Sequence, residues 1–483
     1  MRKITKEIFL NTVMCPTLGW MLRNPEPEQN PPIDLGSRFR MEEGIEIGKR
    51  ARNVYPEGVL IDERDSDRAI LRTREVLADN VKIVFEGAFG YGNYIARADI
   101  LKRVNGGWHL IEVKSSVNDK PELLDDLAYT VMVCQKAGLD VKKASLFLLS
   151  KDYRLGMDDK DFFIGIEHPD AFTKALEFSA FMEQVDNATR GTKPDAEIVF
   201  DCRKCDQFDD CVGKGIEHHI FELPRISENK FNELNEMGVY SISEIPAGFE
   251  LTKNQKRMLS SVRTHSPIIG DDFHDMVNAV SWPAYYLDFE TVMTAIPLYP
   301  EVAPFTQIPT QFSIHKCSDF GKVEKHFEYL ADPSRDSRRE LALNLIEDLE
   351  GNGSIVCYSS FEKTTIGNLA KLFPDLENEL NALIARLYDL EKVFRESFYH
   401  PDFHGKTSIK QTLPALVPGM NYEGLEIGNG SDAIAAFAYM AMGRYSADEM
   451  EKVRKDLLLY CKQDTLAMVR LHGKLHQLIA VGN

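Results

Sequence analysis

The chain has 483 residues, 43% hydrophobic and 27% charged, and a formal net charge of −18. That length exceeds what one ordinary core fills, so two or three domains are expected, and the acidic balance excludes a protein that coats nucleic acid non-specifically. No apolar run reaches the ~18 residues that span a bilayer, and the N-terminus lacks a secretory pattern, so the expectation is a cytoplasmic protein with no membrane partner.

In chain order, "RFRMEEGIEIGKRARNVYP" and "DRAILRTREVLADN" have helical spacing. Short β-rich runs follow at "KIVFEG", "NYIARADILKRV" and "WHLIEVKSS", separated by Gly- and Asn-rich turns. A helix, a strand at "KASLFLLS" and a further helix complete an α/β unit. The stretch "FDCRKCDQFDDCVGKG" then places Cys202, Cys205 and Cys211 close together. The segment from about 223 to 272 is shorter and more polar. Its "MGVYSISEIP" weakly resembles a helix-hairpin-helix, and an ordinary pair of linker helices reads equally well. A second α/β pattern opens at "PAYYLDFE" and ends in a long helix.

The first chemical constellation is Asp99, Glu112 and Lys114. Residues i and i+2 of a strand share a face, so Glu112 and Lys114 project together, and a hairpin can bring Asp99 beside them. Two carboxylates can hold Mg²⁺ or Mn²⁺, and the lysine can polarise an attacking water or steady a phosphate in transit. The bland alternative is a surface hairpin with a weak ion pair. With the helices on either side, the segment resembles the PD-(D/E)xK nuclease superfamily, in particular its RecB/AddB-like branch with the iron–sulfur exonucleases associated with CRISPR loci. The resemblance implies that Asp99 and Glu112 bind metal and that Lys114 assists catalysis. Where the branch often has G-x-x-x-H, this chain reads Gly44 to Gly48, leaving Glu46 or Glu86 as a further carboxylate. Where the branch often has Q-x-x-x-Y, it reads Asp125-Asp126-Leu127-Ala128-Tyr129.

Eight cysteines are too sparse for a disulfide scaffold. Cys134, Cys317, Cys357 and Cys461 read as core fillers. Iron–sulfur members of the same branch take one cysteine from before the nuclease core and three from after it. Cys15 with Cys202, Cys205 and Cys211 therefore resembles a 4Fe–4S ligand set, with Zn²⁺ as the alternative, since thiolates suit both. His218 and His219 read as linker residues.

The second constellation is Asp288 and Glu290 at i and i+2 of a strand, Glu362 near a strand-to-helix turn, and Tyr460 and Asp464 one helical turn apart. Carboxylates from separated segments can bind two divalent cations that activate water and stabilise a leaving oxygen. The set resembles the DEDD 3′→5′ exonucleases of the RNase H-like fold whose last motif is Y-x-x-x-D. That resemblance implies metal ligation by Asp288, Glu290 and Asp464 and orientation of water by Tyr460. Glu362 replaces the usual aspartate, Asp389 is the other candidate, and Lys406 and Lys410 can meet phosphate.

The expected fold class is α/β: a restriction-endonuclease-like PD-(D/E)xK core over 1–222, a small helical segment over 223–272, and an RNase H-like α/β domain over 273–483. The expected function is a metal-dependent nuclease on DNA, single-stranded or free-ended, in repair or in defence against foreign DNA. An RNA-processing exonuclease and a nucleic-acid-binding scaffold with inactive sites are the alternatives.

Overall fold

Alternating strands and amphipathic helices build a mixed α/β chain with two main sheets. The computed structural model describes residues 1–25, 33–422 and 424–481. It divides into two compact units, one formed by Met1–Glu197 with Met293–Thr306, the other by Ile198–Val292 with Gln307–Asn483.

The sheet of the first unit runs in chain order: β1 (Val59–Leu60), β2 (Ile83–Tyr91), β3 (Tyr94–Val104), β4 (Gly107–Val113), β5 (Val141–Leu149) and β6 (Phe163–Glu167). Strands β2, β3 and β4 form an antiparallel meander, β4 pairs in parallel with β5, and β1 pairs in parallel with β2. Its helices are α1 (Lys6–Met14), α2 (Pro16–Arg23), α3 (Leu35–Asn53), α4 (Ser66–Ala78), α5 (Pro121–Lys136) and α6 (Asp170–Arg190). Period-two alternation divides β2 between two cores. Val84 and Ala88 pack with residues of α1, α4, α5 and α6, while Ile83 and Phe85 pack with Ile47 and Ala51 of α3.

The segment Met293–Thr306, expected in the C-terminal domain, belongs to this first unit. Ala295 and Ile296 join the α3 core, and their backbone N–H groups donate to Glu43 Oε1 at 2.8 and 3.2 Å. Burial raises the Glu43 pKa despite those two bonds.

The second unit holds a five-stranded sheet built from β8 (Ala284–Val292), β9 (Ile308–Asp319), β10 (Lys322–Leu330), β11 (Ile355–Cys357) and β12 (Leu387–Asp389), in the order β10-β9-β8-β11-β12. The first three strands are antiparallel, and β8, β11 and β12 are parallel. A two-stranded ribbon joins β7 (Ile268–Ile269) to β13 (Phe398–Tyr399). The helices are α7 (Glu228–Glu236), α8 (Lys253–Thr264), α9 (Phe273–Asn278), α10 (Arg338–Asp348), α11 (Phe361–Leu372), α12 (Glu377–Ala385), α13 (Glu391–Glu396), α14 (Ile409–Leu416), α15 (Gly430–Ala441) and α16 (Ala447–Val481).

The expected boundaries at 222 and 272 differ from this division. Residues 198–272 pack into the second unit, where Ile220, Leu223, Phe231, Leu234 and Met258 share one cluster with Tyr286, Val356 and Leu471. Short helices cannot bury an apolar face alone, so the polar-looking middle supplies one side of a larger core. The turn expected to begin a second helix after α7 is a single 3₁₀ turn, Ile242–Glu244. Among the described residues, no helix is long and apolar enough to cross a membrane.

Candidate metal centres

In the first unit, the register Ile100↔Ile111 runs on to set Asp99 and Glu112 on neighbouring strands, and the Val113 N–H donates to Asp99 Oδ2 at 2.7 Å. Lys114 Nζ donates to Asp126 Oδ2 of α5 at 2.5 Å and lies 3.6 Å from Glu112 Oε2. Lys6 Nζ of α1 adds a second cation, 3.2 Å from Asp126 and 3.8 Å from Glu112. Glu112 Oε1 is buried with no hydrogen-bond partner, an open acceptor in the centre of the group. Burial, and then the Glu112 charge, raise the Asp99 pKa well above the usual carboxylate range. Burial works against the Lys114 charge, but Glu112 and Asp126 outweigh it and raise its pKa.

A cleft of about 150 Å³ opens on Asp99, lined by Gly44, Gly48, Arg52 and Glu86. A Cβ at Gly44 would meet nothing within 4 Å, so the small residues of α3 create this space. Of the two further carboxylates considered from the sequence, Glu86 lines the cleft. It has a left-handed φ of 55° and a pKa raised by burial, and it lies 3.9 Å from Arg52. Glu46 instead pairs with Lys49 and Arg50 on the exposed side of α3. Tyr129 is a core anchor whose hydroxyl donates to the carbonyls of Ile4 and Ile95 at 2.7 and 3.0 Å, and Asp125 pairs with Lys174.

Lys114→Met should lower the melting temperature of the metal-free protein by about 5 °C or more. It strands the buried Glu112 charge and takes the cation from Asp126, a loss of about 3 kcal/mol where 1 kcal/mol shifts melting by about 2–4 °C. A change under about 1 °C in differential scanning calorimetry would show that water already screens the pair.

In the second unit, alternation along β8 puts Tyr285, Leu287 and Phe289 into the core beneath α10 to α12, while Tyr286, Asp288 and Glu290 face the other way. Helix α16 is keyed to β9: Gln311 Nε2 donates to the Leu457 carbonyl at 2.9 Å, and Thr465 Oγ1 lies 2.9 Å from Ser313 Oγ and 2.8 Å from His315 Nδ1. Asp464, next to Thr465, is thereby set over β8. Donor atoms of Asp288, Glu290 and Asp464 lie within 4.8 Å of one another.

Glu362 stands in the first turn of α11, at the carboxyl end of β11, where open α/β sheets place their ligands. It is 3% exposed and its Oε2 has no hydrogen-bond partner. Its charge raises the Asp288 pKa, and Asp389 in turn raises that of Glu362. Asp389 is paired with Cys357 in register, and neither Glu362 nor Asp389 is among the donors that lie within 4.8 Å of one another around Asp288.

These carboxylates hold their protons far above the usual range. Burial first, then the charge of Asp464, raises Glu290 to about 8 and Asp288 well above its ordinary value. Burial lifts Glu362 to about 7 and Asp464 to about 6. A buried acidic group so short of positive charge fits a divalent cation. Lys410 is a nearby cation, its Nζ 5.1 Å from the Tyr422 ring centre, 5.5 Å from that of Tyr460 and 2.9 Å from the Gly428 carbonyl. The Tyr422 hydroxyl donates to Asp464 Oδ1, a contact the sequence reading missed because Tyr422 sits in an irregular segment with no motif around it. The Cys461 thiol, read as a core filler, is buried but also lies 3.6 Å from Asp288 Oδ2.

Cys15 stands in the first unit as the N-cap of α2, its Sγ accepting from the Leu18 N–H at 3.4 Å. Cys202, Cys205 and Cys211 stand in the second unit along successive turns, and the Val199 N–H donates to Cys202 Sγ at 3.4 Å. Backbone N–H···S bonds of this kind support thiolate ligands. Among the described residues, Cys202, Cys205 and Cys211 are not one of the groups whose donor atoms lie within 4.8 Å. His218 and His219, read as linker residues, are both buried. His219 Nδ1 accepts from the Phe221 N–H, and His218 faces Glu222 and His404.

Residues 285–408 match a family described as "Domain of unknown function (DUF2779)". The match spans Asp288, Glu290, Glu362, Asp389 and Lys406, and stops short of Lys410, Tyr460 and Asp464. The chain is also similar to an uncharacterized protein of Ureaplasma parvum, at 27% identity over 218 residues, covering 40% of this chain and 31% of that protein. An uncharacterized protein of Mycoplasma genitalium is 23% identical and its Mycoplasma pneumoniae homologue 22%, each over 222 residues, 42% of this chain and 33% of theirs. The chain thus spans about a third of the length of the curated relatives it matches.

Proposed function

We propose that this chain is a metal-dependent nuclease that hydrolyses phosphodiester bonds, with single-stranded or free-ended DNA as substrate. The observation that carries the reading is the convergence of Asp288, Glu290 and Asp464 in a buried setting that lacks balancing charge. The strand order of the second unit, a three-stranded meander followed by two parallel strands, supports an RNase H-like fold of the DEDD kind. The meander of the first unit, with a helix leading to a parallel β5, supports a PD-(D/E)xK core.

Divalent cations bound there would activate water and stabilise the leaving oxygen. Asp288, Glu290, Asp464 and Glu362 would hold them, and Tyr422 fixes one Asp464 oxygen in place. Lys410 offers its charge to a phosphate, and Tyr460, one turn before Asp464, orients the attacking water. In the first unit, Asp99 and Glu112 would hold a cation beside Lys114. Cys202, Cys205 and Cys211, with Cys15 as the fourth ligand of the set read from the sequence, would carry an iron–sulfur cluster, with zinc as the alternative.

The test is degradation of end-labelled single-stranded DNA in Mn²⁺ by wild type, Lys114→Ala and Asp464→Asn. Cleavage that needs the metal and falls in either variant assigns the activity to that unit. Cutting of the ribose counterpart alone moves the substrate to RNA. No cleavage of either polymer, with no Mn²⁺ bound in calorimetry, sinks the nuclease reading and leaves a nucleic-acid scaffold. Anaerobically purified protein carrying neither iron nor zinc sinks the reading of the cysteines.

A further inference from the structure

His218, Glu222 and His404 come together in the second unit from segments 182 residues apart in sequence. His218 Nδ1 lies 3.2 Å from Glu222 Oε2, and His404 Nδ1 lies 3.2 Å from Glu222 Oε1. The two imidazoles stack at 4.9 Å between centres with 21° between their planes, and each turns its Nδ1 to a different oxygen of Glu222. Metal–ligand bonds of about 2.0 Å to nitrogen and oxygen in a tetrahedron require donor atoms about 3.3 Å apart. One donor atom from each of the three residues lies within 4.8 Å of the other two, so a small closure brings them to that edge.

The surrounding chain is built to hold this arrangement. His218 and His404 both have left-handed backbones, at φ 49° and 47°, a conformation a non-glycine residue adopts only where its surroundings impose it. Gly405, at φ 74°, presses so closely on residue 222 that a Cβ there would fall 1.9 Å from the Glu222 carbonyl oxygen. His218 is buried, whereas the His404 side chain is 47% exposed, leaving an open side for entry and for a water as a further ligand.

We propose that His218, Glu222 and His404 form a transition-metal site of the Zn²⁺ class. Two imidazoles and one carboxylate are a borderline donor set that favours zinc-like ions over Mg²⁺ or Ca²⁺, which prefer oxygen alone. The site is separate from the acidic centre of β8 and α16 and does not depend on the nuclease reading. Three protein ligands and an open position are the pattern of a Zn²⁺ that also holds a water, and the ion would tie the segment after the cysteines to the loop before α14.

The test is Co²⁺ binding to the full chain, comparing wild type with His404→Ala and Glu222→Gln. Equilibrium dialysis counts the ions, and visible absorption separates nitrogen and oxygen ligands from the sulfur-to-metal bands of cysteine. The expected result is one nitrogen–oxygen-bound ion fewer per chain in His404→Ala, affinity at that site reduced at least about 100-fold in either variant, and a Zn²⁺-dependent rise in melting temperature that is larger in wild type than in either variant. Equal ion counts and equal Zn²⁺ shifts in wild type and Glu222→Gln would overturn the proposal and reduce the group to a hydrogen-bonded brace. Glu222→Gln keeps the shape of the side chain, so that comparison stands even where His404→Ala does not fold.

Discussion

Asp464→Asn should lower Mn²⁺-dependent cleavage by the second unit about 10³-fold while raising the melting temperature of the metal-free protein at pH 8. The catalytic loss follows from removing one of three converging ligands: a bound cation supplies several kcal/mol of transition-state stabilisation, and about 4 kcal/mol corresponds to ~10³ in rate. The gain in stability has the opposite origin. After burial, the Asp464 charge is the largest influence raising the pKa of both Asp288 and Glu290. An asparagine removes that repulsion and can still accept from the Tyr422 hydroxyl. Single-turnover cleavage of labelled DNA and calorimetric melting measure the two effects separately. A variant that keeps wild-type cutting, while Lys114→Ala loses it, would place the chemistry in the first unit.

The second large effect is on pH. In the unfolded chain, aspartate and glutamate release their protons near pH 4. In the folded protein, Asp464 holds its proton to about 6, Glu362 to about 7 and Glu290 to about 8. Across that interval these carboxylates bind more protons in the folded state than in the unfolded one, so their contribution to stability falls as pH rises. Burial lowers His219, His315, His326 and His472 to about 4, which pulls the other way below about pH 6.5, so the loss is read above it: the metal-free protein should melt about 5 °C lower at pH 8 than at pH 6.5, where each 1 kcal/mol shifts melting by about 2–4 °C. Mn²⁺ should restore the loss at pH 8, where the ligands are ionised, and do little at pH 5, where they are protonated. A profile flat from pH 6.5 to pH 8, or an equal Mn²⁺ shift at pH 5 and pH 8, would mean that the carboxylates are solvated. Asp464→Asn should flatten the slope, which separates this cluster from the general acidity of the chain.

Much of the site was legible in the sequence because its signals are local. D-F-E on an apolar run declares a strand with Asp288 and Glu290 on one face, and Y-x-x-x-D declares a helix face with Tyr460 and Asp464. The pair Glu112 and Lys114 follows the same period of two, and the mixed α/β class follows from strands and helices in alternation. Strand and helix periods are properties of a few consecutive residues, so a sequence carries them without help.

What the tertiary structure alone decided is of another kind. Ion pairing of Lys114 with Asp126, the choice of Glu86 over Glu46 beside Asp99, and the bond from Tyr422 to Asp464 join elements whose separation along the chain predicts nothing. The same holds for the middle segment, whose polar composition suggested a linker although its apolar minority completes the core of the second unit. His218 read as a linker residue because its partner, His404, lies far downstream. By itself the sequence determined which side chains share a face. Which faces meet depended on burial summed over distant segments, and that sum exists only once the chain has folded.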